Sequence, residues 1–219
     1  AFFAAYFVIS LPAAGLVRRT GYLRTAAFGV LAMAVGCVLF IPASRSGQFG
    51  VFLLALFVLA TGITMVQVVA NPLISLLGSP RTAHSRLTFA QAFNSLGTVV
   101  FPYVGSILIL GSLAAAPDPT DTAAVTAYRV QETQVVVNTY LGLAAALLVL
   151  TATIWLRRNR LPWKPGAPMP FTHALELLRR RRFGWGALCI FLYVGAEVAI
   201  GSLIVNYLMQ ASTLGLEQQ

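Results

Sequence analysis

Long apolar stretches without a charge, each followed by a short basic connection, constrain this chain more than any other feature. Only 10% of its 219 residues are charged and 58% are apolar. A soluble domain carries about 25% charged residues to cover its surface. Six stretches are candidate membrane spans: Ala1–Val17, Ala26–Ala43, Phe49–Leu77, Leu87–Leu113, Val135–Leu156 and Phe183–Met209. Crossing a hydrocarbon core of about 30 Å takes roughly 20 helical residues. Backbone polar groups in lipid must be satisfied internally, so helices or a closed barrel are the options. Strict polar–apolar alternation is absent, which selects helices. The expected fold class is therefore all-α, a polytopic membrane protein.

The distribution of the +9 net charge sets an expected topology. Arg18, Arg19 and Arg24 follow the first span, Arg81 and Arg86 the third, and Arg157, Arg158, Arg160, Lys164 and Arg179 to Arg182 the fifth. The second and fourth connections hold only Arg45 and Arg129. Alternate connections are thus basic, as the positive-inside rule requires of cytoplasmic ones. The basic runs read as topology signal and lipid contact, and nucleic acid is not an expected partner. Cys37 and Cys189 both fall inside spans, which argues against a disulfide framework. His84 and His173 fall in connections, so neither a metal site nor another cofactor is expected.

The topology places Ala1 at the outer face, inside an apolar run, so at least one span is expected upstream of it. Three regions are expected: a half-bundle over 1–160, a cytoplasmic linker over 161–183, and the first helix of a second half over 184–219. Pro162, Pro165, Pro168 and Pro170 stiffen the linker's start. Its remainder, Phe171–Arg182, reads as a short amphipathic helix on the membrane surface. Ala114–Gln134, rich in Ala, Thr, Pro and Asp, reads as an external loop. Pro12, Pro72 and Pro102 interrupt the first, third and fourth spans, and broken spans lie near binding sites in transporters.

The polar residues within the spans are the candidates for function. Glu197 is the one charged residue inside any of the six stretches, about 21 Å of helix rise from Phe183. A carboxylate so deep must face a watery cavity, find a donor or stay protonated. Tyr193, four residues before it, is the expected donor. Gln67 and Asn71 share one face of the third span, and Gln91 and Asn94 one face of the fourth. Amides both donate and accept hydrogen bonds, which suits a hydroxyl-rich ligand. The same residues could instead fasten helices to each other, a contribution of about 0.6–2 kcal/mol per contact.

Four segments carry a resemblance: AFFAAYFVISLPAAG at Ala1–Gly15, ANPLISLLG at Ala70–Gly78, LTFAQAFNSLGT at Leu87–Thr98, and FLYVGAEVAIGSLIVNYL at Phe191–Leu208. In order and spacing they resemble the major facilitator superfamily, and within it the fucose–proton symporter and glucose/galactose transporter family. The resemblance implies that the six spans are helices two to seven of a twelve-helix bundle. It implies secondary active transport of a hexose by symport with a cation, proton or sodium, in a bacterial inner membrane. Gln67, Asn71, Gln91, Asn94, Tyr193 and Glu197 are the substrate-binding candidates, with Glu197 also a candidate for proton coupling. Gln67 stands where the fucose branch has a glutamate, whereas Glu197 matches the glucose/galactose branch. Arg18-Arg19-Thr20-Gly21 resembles part of the superfamily's loop signature, with Arg18 in place of the acidic residue. A carrier of another polyol, an exporter and a sugar sensor that does not translocate are the alternatives. An intramembrane enzyme lacks a recognisable nucleophile and base.

Overall fold

The structure is a computed structural model that describes residues 2–110, 122–160, 176 and 179–210. Six long helices occur among them, and no strand. They are α1 (Phe2–Thr20), α2 (Tyr22–Ser46), α3 (Phe49–Leu76), α4 (Ala83–Leu110), α5 (Thr122–Leu156) and α6 (Arg181–Gln210). A single 3₁₀ turn, Pro80–Thr82, precedes α4. Segments in α2, α3, α5 and α6 are long and apolar enough to cross a membrane by length and composition. The more polar α4 carries His84, Arg86, Gln91, Asn94, Ser95 and Thr98.

The spans expected from hydropathy fall within these helices as far as the residues are described. One expectation fails. Residues Thr122–Gln134, read as external loop, are the first turns of α5. The segment contains no Pro or Gly, so nothing breaks the helix once the following span has nucleated one. At 35 residues, α5 is about 52 Å long and outruns the hydrocarbon core. Hydropathy sees only its membrane part, Thr133–Leu156. The proposed surface helix of the linker lies outside the described residues, apart from Glu176, which is helical, and the final residues that lead into α6.

The chain forms two compact units, Ala1–Pro168 and Met169–Gln219. In the first, α2 packs against both α3 and α5, and α1 lies on α3. The α2–α3 seam is built from small residues. A Cβ placed on Gly36 would come within 2.7 Å of the Leu59 backbone nitrogen, and one on Gly62 within 2.6 Å of the Met33 nitrogen. Ala55, on the same face of α3 as Gly62, is fully buried. Lipid tails are as apolar as leucine, so helices in a bilayer gain from close backbone approach, which small residues permit. Phe40 closes the α2–α5 side by stacking on Tyr140 at 4.5 Å between centroids, and it meets the edge of Phe52 at 5.2 Å.

Helix ends follow local chemistry. Gly47 closes α2 with φ of +62°, a left-handed conformation that costs glycine nothing. Arg24 Nη2 donates to Asn159 Oδ1 at 3.2 Å. The start of α2 and the residues after α5 therefore share one end of the unit, as the alternation of basic connections anticipates.

In the second unit, α6 is one continuous helix of 30 residues. It starts at Arg181, so the last residues of the expected linker belong to it.

Candidate functional site

Four of the six candidate residues lie in the first unit, on α3 and α4. Asn71 and Gln91 come together across the helix pair, with Gln91 Nε2 donating to Asn71 Oδ1 at 3.3 Å. Asn94 Nδ2 lies 3.5 Å from Gln91 Oε1 and completes a chain of three amides. All three side chains are exposed at the surface of the unit. The chain is long in its distances and leaves the Asn71 NH2, one Gln91 N–H and the Asn94 carbonyl oxygen unspent. A fastening network buried between helices would have spent them.

Gln67 sits on the same face of α3 as Asn71, and the two line one cavity of about 320 Å³. Tyr6 and Ser10 of α1 and Thr64, Val68 and Pro72 of α3 complete its wall. The volume lies at the lower end of the range for small-molecule sites. Pro72 has no N–H, so the Val68 carbonyl, four residues earlier and also on the wall, loses its helical donor. The Thr64 hydroxyl is buried and donates to Ala60 O at 2.8 Å. A few polar groups thus stand along a largely apolar wall, as in small-molecule sites generally.

The α3–α4 connection holds this arrangement. Arg86, one turn into α4, donates Nε to Ile74 O at 3.3 Å and Nη2 to Ser75 O at 3.0 Å. Its Nη1 reaches Ser79 O at 3.0 Å and the Thr82 hydroxyl. The last carbonyls of α3 have no helical partner, and a cation there also suits the helix dipole. Gly78 turns the chain with φ of +126°, and a Cβ on it would lie 2.9 Å from Arg86 Nη1. The guanidinium therefore sets α4 against α3 a few residues from Asn71 and Gln91.

Sequence reading anticipated the four amides and their shared faces. It missed Tyr6, Ser10 and Thr64 as wall residues and treated Arg86 only as a topology charge. Tyr6 and Ser10 stand four apart ahead of Pro12. That polar pair in an apolar span was a signal available for reading.

Tyr193 and Glu197 stand on α6 in the second unit, where both side chains are exposed. The expected hydrogen bond between them does not form among the described residues. Four-residue spacing brings the two Cβ atoms together. A tyrosine hydroxyl stands at the end of a rigid ring, so proximity of the Cβ atoms does not by itself bring it to the carboxylate.

Long apolar helices arranged in a small-residue bundle, with amides gathered near a proline-bearing helix turn, define an integral membrane protein with a small cavity carrying a few polar groups. The Major Facilitator Superfamily matches residues 1–218, and the chain belongs to that superfamily, a transporter family of multi-pass membrane proteins. It is 43% identical over 217 residues to a glucose/galactose transporter of Brucella abortus, covering 99% of this chain and 50% of that one. It is 30% identical over 222 residues to the L-fucose-proton symporter of Escherichia coli, covering 96% of this chain and 50% of that one. A crystal structure of the fucose symporter in the outward conformation superposes with a TM-score of 0.79 at 29% identity. That match covers 94% of this chain and 52% of the other. The chain thus spans about half the length of the curated relatives it matches.

Proposed function

We propose that this chain belongs to a secondary active sugar transporter of the bacterial inner membrane, and that it contributes hexose-binding residues. The gathering of Asn71, Gln91 and Asn94 beside the cavity that Gln67 and Asn71 line carries this reading. Relatives bearing glucose/galactose and fucose names favour a hexose over another polyol. The mechanism proposed is symport with a cation by alternating access, and the proton is the preferred cation because one relative is named a proton symporter. The chemistry is binding and passage, with no bond made or broken in the sugar. Counterflow in proteoliposomes tests it: labelled hexose should exchange, and absence of exchange beside measurable binding would assign the protein as a sensor.

The coupling role is proposed for Glu197. An amide at Gln67 cannot release a proton, so the duty rests on Glu197, the acidic residue within the apolar part of α6, on the aspartate that the resemblance implies for the family's first helix, or on a sodium site. Glu197→Gln keeps the shape and removes the proton. The variant should exchange sugar in counterflow yet fail to accumulate it against a gradient. Wild-type accumulation would remove Glu197 from coupling, and parallel loss of exchange and accumulation would assign it to sugar binding. Tyr193, one turn away, is proposed to contact sugar; Tyr193→Phe should weaken hexose binding and leave the coupling ratio unchanged.

A further inference from the structure

One end of the first unit carries a second constellation that sugar binding does not use. On α2, Arg24 stands one turn before Phe28. On α5 and just past its end, Trp155 stands one turn before Asn159, with Arg158 beside it. These five residues form one cluster. Arg24 Nη2 donates to Asn159 Oδ1 at 3.2 Å. The Phe28 and Trp155 rings lie 5.8 Å apart between centroids at 58°. The Arg158 guanidinium lies 4.5 Å from the Trp155 ring centroid, and its Nη1 donates to Trp155 O at 2.9 Å.

Two helices therefore hold two guanidiniums where their apolar stretches end, with two aromatic rings one turn deeper. Both rings are partly open, Phe28 at 38% and Trp155 at 39% exposure. Each guanidinium has five N–H donors and spends one on the bonds above, so most of the fork is unused. Within the first unit, no described side chain is an aspartate or glutamate that could neutralise them.

We infer that this cluster binds the phosphate headgroup of an anionic phospholipid, with an acyl chain lying along Phe28 and Trp155. A guanidinium fork matches phosphate oxygens two at a time. Tryptophan belongs at the headgroup level of a bilayer, and basic recesses between helices at the membrane surface hold anionic headgroups. A soluble phosphate would use the arginines but gain nothing from the rings beneath them. Asn159 positions Arg24, and Trp155 positions Arg158, so the two cations are held toward the bilayer surface in advance of binding.

The test compares the intact protein in nanodiscs of phosphatidylcholine alone and of phosphatidylcholine with phosphatidylglycerol, reading thermal stability and the phosphatidylglycerol retained after delipidation. The wild type should be stabilised by phosphatidylglycerol and retain it. Each arginine removed should lower its retention about fivefold, the equivalent of about 1 kcal/mol per basic residue at an anionic surface. Arg24→Gln with Arg158→Gln should abolish the stabilisation, while stability in phosphatidylcholine alone reports that the variant is folded. Arg24→Lys with Arg158→Lys should retain part of the lipid and covers the case where the glutamine pair does not fold. Arg45→Gln, at the other end of α2, should change nothing. Equal loss from Arg45→Gln would overturn the proposal in favour of diffuse surface charge. Equal stabilisation by millimolar inorganic phosphate in phosphatidylcholine would overturn it in favour of a soluble anion. Unchanged retention in the glutamine or lysine pair would overturn it outright.

Discussion

The two faces of α3 are built to opposite rules. Toward α2 it presents Leu59, Gly62 and Val66, packed so closely that backbone meets backbone. Toward α4 it presents Asn71, whose bond to Gln91 is 3.3 Å long and exposed. No described side chain of α4 is buried, and Phe89 and Phe93 of α4 stand 67% and 61% exposed. The α2–α3 seam is filled and permits no added atom. The α3–α4 pair is held at one end by Arg86 and is polar and accessible beyond it. Packing thus occupies one side of the helix, and the side left open is where polar groups can serve a ligand at little cost to the fold.

The sharpest break of that contrast is Gly62→Val. Its Cβ would lie 2.6 Å from the Met33 backbone nitrogen, where no side chain can yield. Overpacking of this kind costs about 1–3 kcal/mol, and backbone contact places Gly62→Val at the upper end or beyond. The protein should express poorly or melt well below wild type in detergent, and a wild-type melting temperature would refute the tight seam.

The amide side should respond in the reverse way. Gln91→Ala removes the middle of the amide chain and, under the proposed function, would leave a sugar hydroxyl poorly paired, at about 1–3 kcal/mol. Hexose affinity should fall about ten- to a hundredfold, as should that of Asn94→Ala, while thermal stability stays at the wild-type value. Unchanged affinity with lowered stability in both variants would assign the amides to fastening helices.

A smaller effect is expected at the junction of the two regions. Gly78→Ala forces a side chain into φ of +126° and against Arg86. The strain is about 1–2 kcal/mol. Both stability and sugar affinity should drop modestly, because the Arg86 clamp and the α3–α4 placement move together. An effect on stability alone would show that the amides do not depend on the clamp. Gly97→Ala on α4 should be nearly silent, within about 0.5 kcal/mol, since its Cβ would meet nothing nearer than Phe101 at 3.7 Å. A large loss in melting temperature there would show that α4 is more tightly packed than its exposure implies.

The helices were legible in the sequence because a bilayer imposes a long apolar run on each span, and hydropathy reads that run directly. The amide pairs were legible because three- and four-residue spacing places side chains on one helical face whatever the helix packs against. The first turns of α5 were not, since outside the hydrocarbon a helix needs no apolar signature. Only the tertiary structure decided that Asn71 of one pair meets Gln91 of the other. It also brought Tyr6 and Ser10 of α1 onto the Gln67 cavity, and turned Arg86 from a topology charge into the clamp on α3. Those outcomes depend on which helix lies beside which, and the α2–α3 pairing shows how such a choice is made, by small residues that let two backbones approach. A seam is a match between two distant segments, and neither segment states it alone.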